Sequence, residues 1–167
     1  IVHKANILKY SQGLFLETGR KIAAEYEGRV IGDDKIVDAC AMELVMRPER
    51  FDVIVTTNLF GDIPSDLTSG LVGGLGLTPG ANIGYDTGIF EAVHGTAPDI
   101  AGKGVANPTA VMLASCQLLD HIAHEKLAGR IRQAIEGVLR ERKTVTGDVG
   151  GTAGTDEYTD AVIARLK

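Results

Sequence analysis

The fold is organised around the stretch Asn58-Leu-Phe-Gly-Asp-Ile-Pro-Ser-Asp-Leu-Thr-Ser-Gly-Leu-Val-Gly-Gly-Leu-Gly76, which follows a short apolar run. The pattern predicts a buried strand leading into a helix, with Asp62 and Asp66 at positions i and i+4 on one face of its first turn. One interpretation is that Asp62 caps the helix and Asp66 is a solvated acid, because helix N-termini favour anions. The other is that both bind Mg²⁺ or Mn²⁺, which prefer oxygen ligands. The spacing alone leaves both interpretations open.

The composition is that of a globular chain of ordinary domain size, with 167 residues, 44% hydrophobic and 23% charged. A net charge of -5 and the lack of a basic run argue against nucleic acid as a partner. No apolar run approaches the roughly 18 residues that cross a bilayer, so we expect no contact with a membrane. Cys40 and Cys116 lie in apolar helical patterns, which favours buried, reduced thiols and a reducing compartment.

Helical and strand patterns alternate along the chain, which is typical of an α/β architecture with at least partly parallel pairing. Helices are predicted at 5–27, 36–45, 107–122 and 127–139, with a last one capped by Thr155, and strands at 51–57, 89–93 and 144–146. Pro64 is expected near the first turn of its helix, where a missing N–H does no harm. We expect the glycine-dense segment 70–84 to be irregular. Its Gly74-Leu-Gly76 pair lacks the third glycine of a Rossmann dinucleotide site, which we therefore discount.

Four further residues are of types that carry chemistry. Lys4 and Asn6 stand at a predicted strand-to-helix junction, where side chains of α/β folds commonly point into a cleft, although a single lysine is most often solvated. Asp38 lies inside the predicted second helix, where an unpaired buried acid is costly. His94 precedes a glycine in a loop and is not specific by itself. Residue type alone leaves a structural role open for each.

Four motifs together resemble the isocitrate and isopropylmalate dehydrogenase family of β-decarboxylating dehydrogenases. They are the segments 2–9, 58–66, 73–84 and 90–103, followed by Ala106-Asn-Pro-Thr109. The resemblance implies that family's α/β fold, which is not the Rossmann fold, with 1–88 in the small, dimer-forming domain and 89–167 in the large, NAD-binding one. It covers about the second half of the family's polypeptide, so we expect a fragment that lacks the arginines and tyrosine of the substrate site.

The resemblance also implies site residues. Asp62 and Asp66 match the family's metal-binding pair for Mg²⁺ or Mn²⁺, and Asp38 matches the ligand that a partner subunit contributes. Lys4 matches the catalytic lysine, also delivered across the interface of a homodimer with a shared active site. The matched positions imply that the following residues bind the cofactor: Asn6, near the nicotinamide, and Glu91, His94, Gly95, Thr96, Ala97, Asp99, Ile100 and Asn107. In this resemblance the loop from His94 to Pro98 holds the adenosine portion of the cofactor, and Asn107 contacts its adenine. A carboxylate at Asp99 repels a 2′-phosphate, so the expected cofactor is NAD.

The substrate is expected to be a small 2-hydroxy acid, oxidised with loss of CO2. His3 before Lys4 and the segment 80–84 resemble the isocitrate branch, with isopropylmalate and homoisocitrate as alternatives. Pro64 departs from the family, which has an aliphatic residue there. A non-catalytic regulatory subunit or an NAD-binding module is the alternative of another class. We expect the chain alone to be inactive and only partly stable, and the protein to work in the bacterial cytoplasm or the mitochondrial matrix.

Overall fold

The structure is a computed structural model that describes residues 1–166 of the chain. It consists of two compact units, Ile1–Leu71 and Val72–Lys167, each with its own core. The predicted division into a small domain, 1–88, and a large domain, 89–167, stays a prediction. Within the described residues, none of the helices combines the length and the apolar character needed to cross a bilayer.

The first unit contains a two-stranded parallel sheet and three helices. Strand β1, Val2–His3, pairs with β2, Lys35–Ile36, and the helices are α1, Ser11–Glu25, α2, Val37–Met46, and α3, Asn58–Leu71. The core consists of Val2, Cys40 and Leu44, with Ile54 and Leu67 packed against it. The parallel pairing and the second helix confirm the predictions made from the apolar pattern.

Two predictions for the residues before α3 are wrong. Segment 51–57 forms no strand, because its bonds to β1 are limited: Val2 N–H donates to Val55 O at 2.8 Å, and Thr56 Oγ1 donates to Val2 O at 2.9 Å. The first helix starts at Ser11 rather than near residue 5, since the chain first turns at Lys4, whose carbonyl accepts the N–H of Leu8 at 2.9 Å.

Helix α3 begins at Asn58, earlier than the proline predicts. Gly61 N–H already donates to Thr57 O at 2.8 Å, so Pro64 lies inside the helix and not near its first turn. A proline there leaves the carbonyl four residues earlier, that of Phe60, without its helical donor. Asp62 and Asp66 consequently lie one and two turns into α3, and the first turn contains no acidic residue. The expected position of this pair in the first turn is therefore wrong.

The second unit contains an antiparallel hairpin and three helices. Strands β3, Pro79–Ile83, and β4, Gly88–Ala92, pair from Pro79 opposite Ala92 to Ile83 opposite Gly88. The helices are α4, Thr109–His121, α5, Glu125–Glu141, and α6, Thr155–Ala164. The core brings together residues of α5 and α6 with Val145, and its largest member is the fully buried Tyr158.

Strand β4 and the helices confirm the elements predicted for this unit. Three other predictions for it are wrong. Segment 70–84 is not wholly irregular, because β3 forms in it: a side chain at Gly80 would meet Val93 at 2.7 Å, so the glycine permits the pairing. Segment 144–146 makes only a single bridge, between Thr146 and Ala153. Thr155 is the first residue of α6 rather than its cap, and its hydroxyl donates to Ala106 O at 2.6 Å.

Candidate active site

Helix α3 presents two exposed acids. Asp62 and Asp66 are four residues apart and so lie on the same helix face. Neither lies in the first turn, and the atom of Asp62 that accepts a hydrogen bond from Ser65 Oγ, at 2.9 Å, is its backbone carbonyl. The capping interpretation of Asp62 is therefore wrong. Two exposed carboxylates on one face suit a hard cation that keeps several waters.

Lys4 and Asp38 form an ion pair within the first unit. Lys4 follows β1 and Asp38 is the second residue of α2, and Lys4 Nζ lies 2.5 Å from Asp38 Oδ1. The Asp38 side chain is 69% exposed and that of Lys4 is 24% exposed. The hydrogen bond from Lys4 holds the pKa of Asp38 below its usual value. The two residues expected to serve a partner's site are thus held together on one protomer.

The structure does not gather the three predicted metal ligands in one chain. Among residues 1–166, no three acidic, histidine or cysteine side chains are grouped closely enough to hold a metal ion. Asp38 accordingly does not complete a ligand set with Asp62 and Asp66. The pair on α3 fits Mg²⁺ or Mn²⁺, which bind through one or two carboxylates and fill their other positions with water and substrate oxygens.

A buried histidine next to Lys4 belongs to a network that the sequence did not indicate. Ala5 N–H donates to His3 Nδ1 at 3.0 Å, so the neutral ring carries its proton on Nε2, which lies 3.3 Å from Asp34 Oδ2. Arg20 in turn donates to Asp34 Oδ1 through Nε at 2.9 Å and Nη2 at 2.6 Å, which lowers the pKa of Asp34.

A cavity of about 520 Å³ in the second unit is lined by the loop that was predicted to bind adenosine. Six predicted residues line it: His94, Gly95, Thr96, Ala97, Ile100 and Asn107. Its size is within the range of small-molecule sites. The loop is sharply folded, since Ala97, Gly102 and Gly104 have φ angles of 42°, 73° and 62°. The structure thus brings six of the predicted cofactor residues to one cavity, and their binding of NAD stays a prediction.

Hydrogen bonds fix the polar end of the cavity. Asn107 Nδ2 donates to Asp148 Oδ2 at 2.9 Å, and Thr146 Oγ1 donates to Asp148 Oδ1 at 2.5 Å. Gly76 also lines the cavity, and a side chain there would meet Asp148 at 3.1 Å. Sequence reasoning missed Asp148 and Gly76. A single acid within the glycine-rich segment 147–154 was the available signal for Asp148.

Three predicted cofactor residues do not line this cavity. Glu91 is exposed on β4 and accepts a hydrogen bond from Asn82 Nδ2 at 3.0 Å. Asp99 is exposed in the turn Pro98–Ile100, beside Ile100, which does line the cavity. Asn6 belongs to the first unit. Cofactor roles for these three residues stay predictions.

Comparison with known proteins identifies the family of the chain, whereas the roles of the individual site residues stay predictions. The family model described as isocitrate/isopropylmalate dehydrogenase matches residues 1–162. An isocitrate/homoisocitrate dehydrogenase of Thermus thermophilus is 57% identical over 167 residues, which are 100% of this chain and 49% of that protein. A mitochondrial regulatory subunit of the NAD isocitrate dehydrogenase of Dictyostelium discoideum is 48% identical over 99% of this chain and 47% of its own length.

The structure of the chain also matches a solved structure of the same family. The crystal structure of isocitrate dehydrogenase from Methylococcus capsulatus superposes with a TM-score of 0.94 and 56% identity, over 99% of this chain and 49% of that one. The chain spans about half the length of the curated relatives it matches. The fold class implied by the four motifs is therefore confirmed. The chain belongs to the isocitrate/isopropylmalate dehydrogenase family.

Proposed function

We propose that this chain is the C-terminal portion of an NAD-dependent dehydrogenase that oxidises and decarboxylates isocitrate to 2-oxoglutarate. The observation that carries the proposal is the cavity of the second unit, because six residues expected to bind the adenosine part of NAD line one cavity of about 520 Å³. NAD, when bound, accepts the hydride that the substrate loses. The exposed Asp99 next to the cavity-lining Ile100 supports NAD over NADP, since a carboxylate repels a 2′-phosphate.

Asp62 and Asp66 are proposed to hold Mg²⁺ or Mn²⁺. Their exposure and their common helix face support this role, and their carboxylates have no capping function in α3. A bound divalent cation supplies Lewis-acid polarisation of the substrate oxygen. Two protein carboxylates leave coordination positions for water, for substrate and for a ligand from a second chain, the proposed role of Asp38.

Lys4 is proposed to transfer the proton that accompanies decarboxylation. Its side chain is 24% exposed and its Nζ lies 2.5 Å from Asp38 Oδ1, so the amine is accessible in this protomer. A positioned proton donor of this kind contributes about 10²- to 10⁴-fold to a rate. Lys4 and Asp38 form their ion pair within one protomer. This arrangement supports a homodimer in which each subunit contributes both residues to the active site of the other.

Exposed apolar side chains support the same assembly. Met42 and Met46 on α2 are 57% and 61% exposed, and Leu59 and Ile63 on α3 are 65% and 56% exposed. Apolar surface of this kind is commonly covered by another chain or segment. We propose that the 167-residue chain by itself does not turn over isocitrate, because it spans only about half the length of the curated relatives it matches.

The substrate is tested by steady-state kinetics on the full-length polypeptide that contains this sequence. Isocitrate, homoisocitrate and isopropylmalate are each offered with NAD and Mg²⁺, and kcat/KM is compared. The highest value with isocitrate supports the specific proposal. A higher value with one of the other acids keeps the dehydrogenase and replaces the substrate, whereas no turnover of any of them supports a regulatory role.

A further inference from the structure

The carboxamide of Asn107 is held by a chain of hydroxyl groups that do not themselves line the cavity. Thr109 N–H donates to Asn107 Oδ1 at 3.0 Å, and Thr109 Oγ1 donates to the same oxygen at 2.6 Å. The hydroxyl of Tyr158, on α6, lies 2.7 Å from Thr109 Oγ1. Thr109 and Tyr158 are each 0% exposed, so the chain of bonds runs through the core.

The direction of these bonds follows from the number of protons. Thr109 Oγ1 has one proton, which goes to Asn107 Oδ1, so Tyr158 is the donor to Thr109 Oγ1. Burial raises the pKa of Tyr158 above its ordinary value near 10, which keeps the phenol protonated. Every proton in the chain therefore points toward Asn107.

The two donors of Thr109 also decide which way the amide faces. Both lone pairs of Asn107 Oδ1 are used, and a reversed amide would set its NH2 group against these two donors. The amide nitrogen Nδ2 is thus the polar end left for the cavity. One of its N–H groups donates to Asp148, and the second has no acceptor among residues 1–166 and can donate to a ligand. Heteroaromatic ring nitrogens are acceptors of this kind.

We propose that Thr109 and Tyr158 are positioning residues for the cofactor: they fix the Asn107 amide with its donor toward the cavity and so set the affinity for the adenine ring of NAD. This inference rests on the function proposed above. Neither residue contacts the cavity, so each acts through Asn107.

The test measures the Kd of NAD for the full-length protein, together with KM and kcat. Thr109→Val keeps the shape and removes the hydroxyl, and we expect Kd and the KM for NAD to rise about tenfold with little change in kcat, as for a buried polar group that loses its partner. Thr109→Ser retains the hydroxyl and restores the affinity. Tyr158→Phe gives a smaller rise, because Thr109 still bonds to Asn107. Ser115→Ala, which removes an exposed hydroxyl elsewhere on α4, is the matched control.

A double-mutant cycle separates positioning from a general structural effect. In an Asn107→Ala background, Thr109→Val is expected to cause no further loss of NAD affinity. Equal further losses in both backgrounds, or unchanged affinity in both Thr109→Val and Tyr158→Phe, would overturn the inference alone. Failure of the unsubstituted protein to bind NAD would overturn it together with the proposed function.

Discussion

Lys4 Nζ and Asp38 Oδ1 lie 2.5 Å apart, which joins the end of β1 to the first turn of α2 by an ion pair. The pair is accessible, so its contribution to stability is small. Removal of the ion pair is therefore expected to change stability little, so a larger change in activity would report on the role that the resemblance assigns to Lys4 and Asp38. This relationship separates effects on activity from effects on stability.

Replacing the lysine tests that separation. We expect Lys4→Met in the full-length protein to lower kcat by about 10²-fold or more, the contribution of a positioned proton donor, with almost no change in the unfolding temperature. Steady-state kinetics and thermal unfolding measure the two effects. Lys9→Met, a replacement of an exposed lysine close by in the chain, is the control and leaves both quantities unchanged. A variant at Lys4 that unfolds much earlier and keeps its activity when folded contradicts the assignment.

Replacing one acid of α3 tests the metal site. Asp62→Asn removes a negative ligand while it keeps the size of the side chain, so we expect the Mg²⁺ concentration for half-maximal activity to rise at least about tenfold. The exposed Asp52 provides the matched control as Asp52→Asn. Binding of Mn²⁺ followed by electron paramagnetic resonance gives a readout that does not depend on turnover. Equal Mn²⁺ affinity in both variants would remove Asp62 from the site.

Gly151 lies in the glycine-rich segment 147–154, which also contains Asp148, so replacing it tests the conformation of that segment. A Cβ at Gly151 would lie 1.9 Å from Val145 O, so Gly151→Ala must displace backbone. We expect the unfolding temperature to fall by several degrees, about 2–4 °C for each kcal/mol in a protein of this size. Gly147→Ala is the control in the same loop, since nothing lies within 4 Å of a Cβ there. Equal unfolding temperatures for the two variants would contradict the loop geometry.

The Arg20 and Asp34 pair predicts an acid dependence of stability. The hydrogen bond from Arg20 lowers the pKa of Asp34 in the folded state below its ordinary value of 3.8. The unfolded state therefore binds the proton more readily, so the stabilisation is present above pH 3.8 and is lost as the pH falls through the folded pKa. Arg20→Gln is expected to lower the unfolding temperature at pH 6, with a smaller difference below pH 3.8. Lys21→Gln, an exposed change on α1, shows no such dependence; a pH-independent difference for Arg20→Gln refutes the linkage.

The sequence predicted those parts of the fold that depend on local pattern. The i, i+4 apolar series before Pro48 predicted α2. The resemblance to the family, and not the local pattern, singled out six of the residues from His94 to Asn107 that line the cavity. What failed depends on distant partners. Segment 51–57 has the composition of a strand but finds only a short neighbour in β1, and β3 forms in a glycine-rich segment because β4 pairs with it.

Hydrogen bonds between residues that are distant in the chain could not be predicted from the sequence for the same reason. Asp148 reaches Asn107 from 41 residues away, and Tyr158 reaches Thr109 from 49 residues away. Nothing in the local pattern of Tyr158 distinguishes it from an ordinary core aromatic, since it does pack in the core of the second unit. Its hydroxyl acquires a function only through the partner that the fold supplies.

We propose that this chain supplies the metal-binding aspartates, the proton-transferring lysine and the NAD-binding cavity of an enzyme that catalyses an oxidative decarboxylation. The most direct test uses the full-length polypeptide that contains this sequence and follows reduction of the nicotinamide by its absorbance. Isocitrate, homoisocitrate and isopropylmalate are each offered with NAD or NADP, with Mg²⁺ and with the metal removed by chelation. The account predicts turnover with NAD and Mg²⁺, loss of turnover without the metal, and a kcat/KM for NADP at least about tenfold lower. Absence of turnover with any of the three hydroxy acids, or turnover unaffected by chelation, would contradict it.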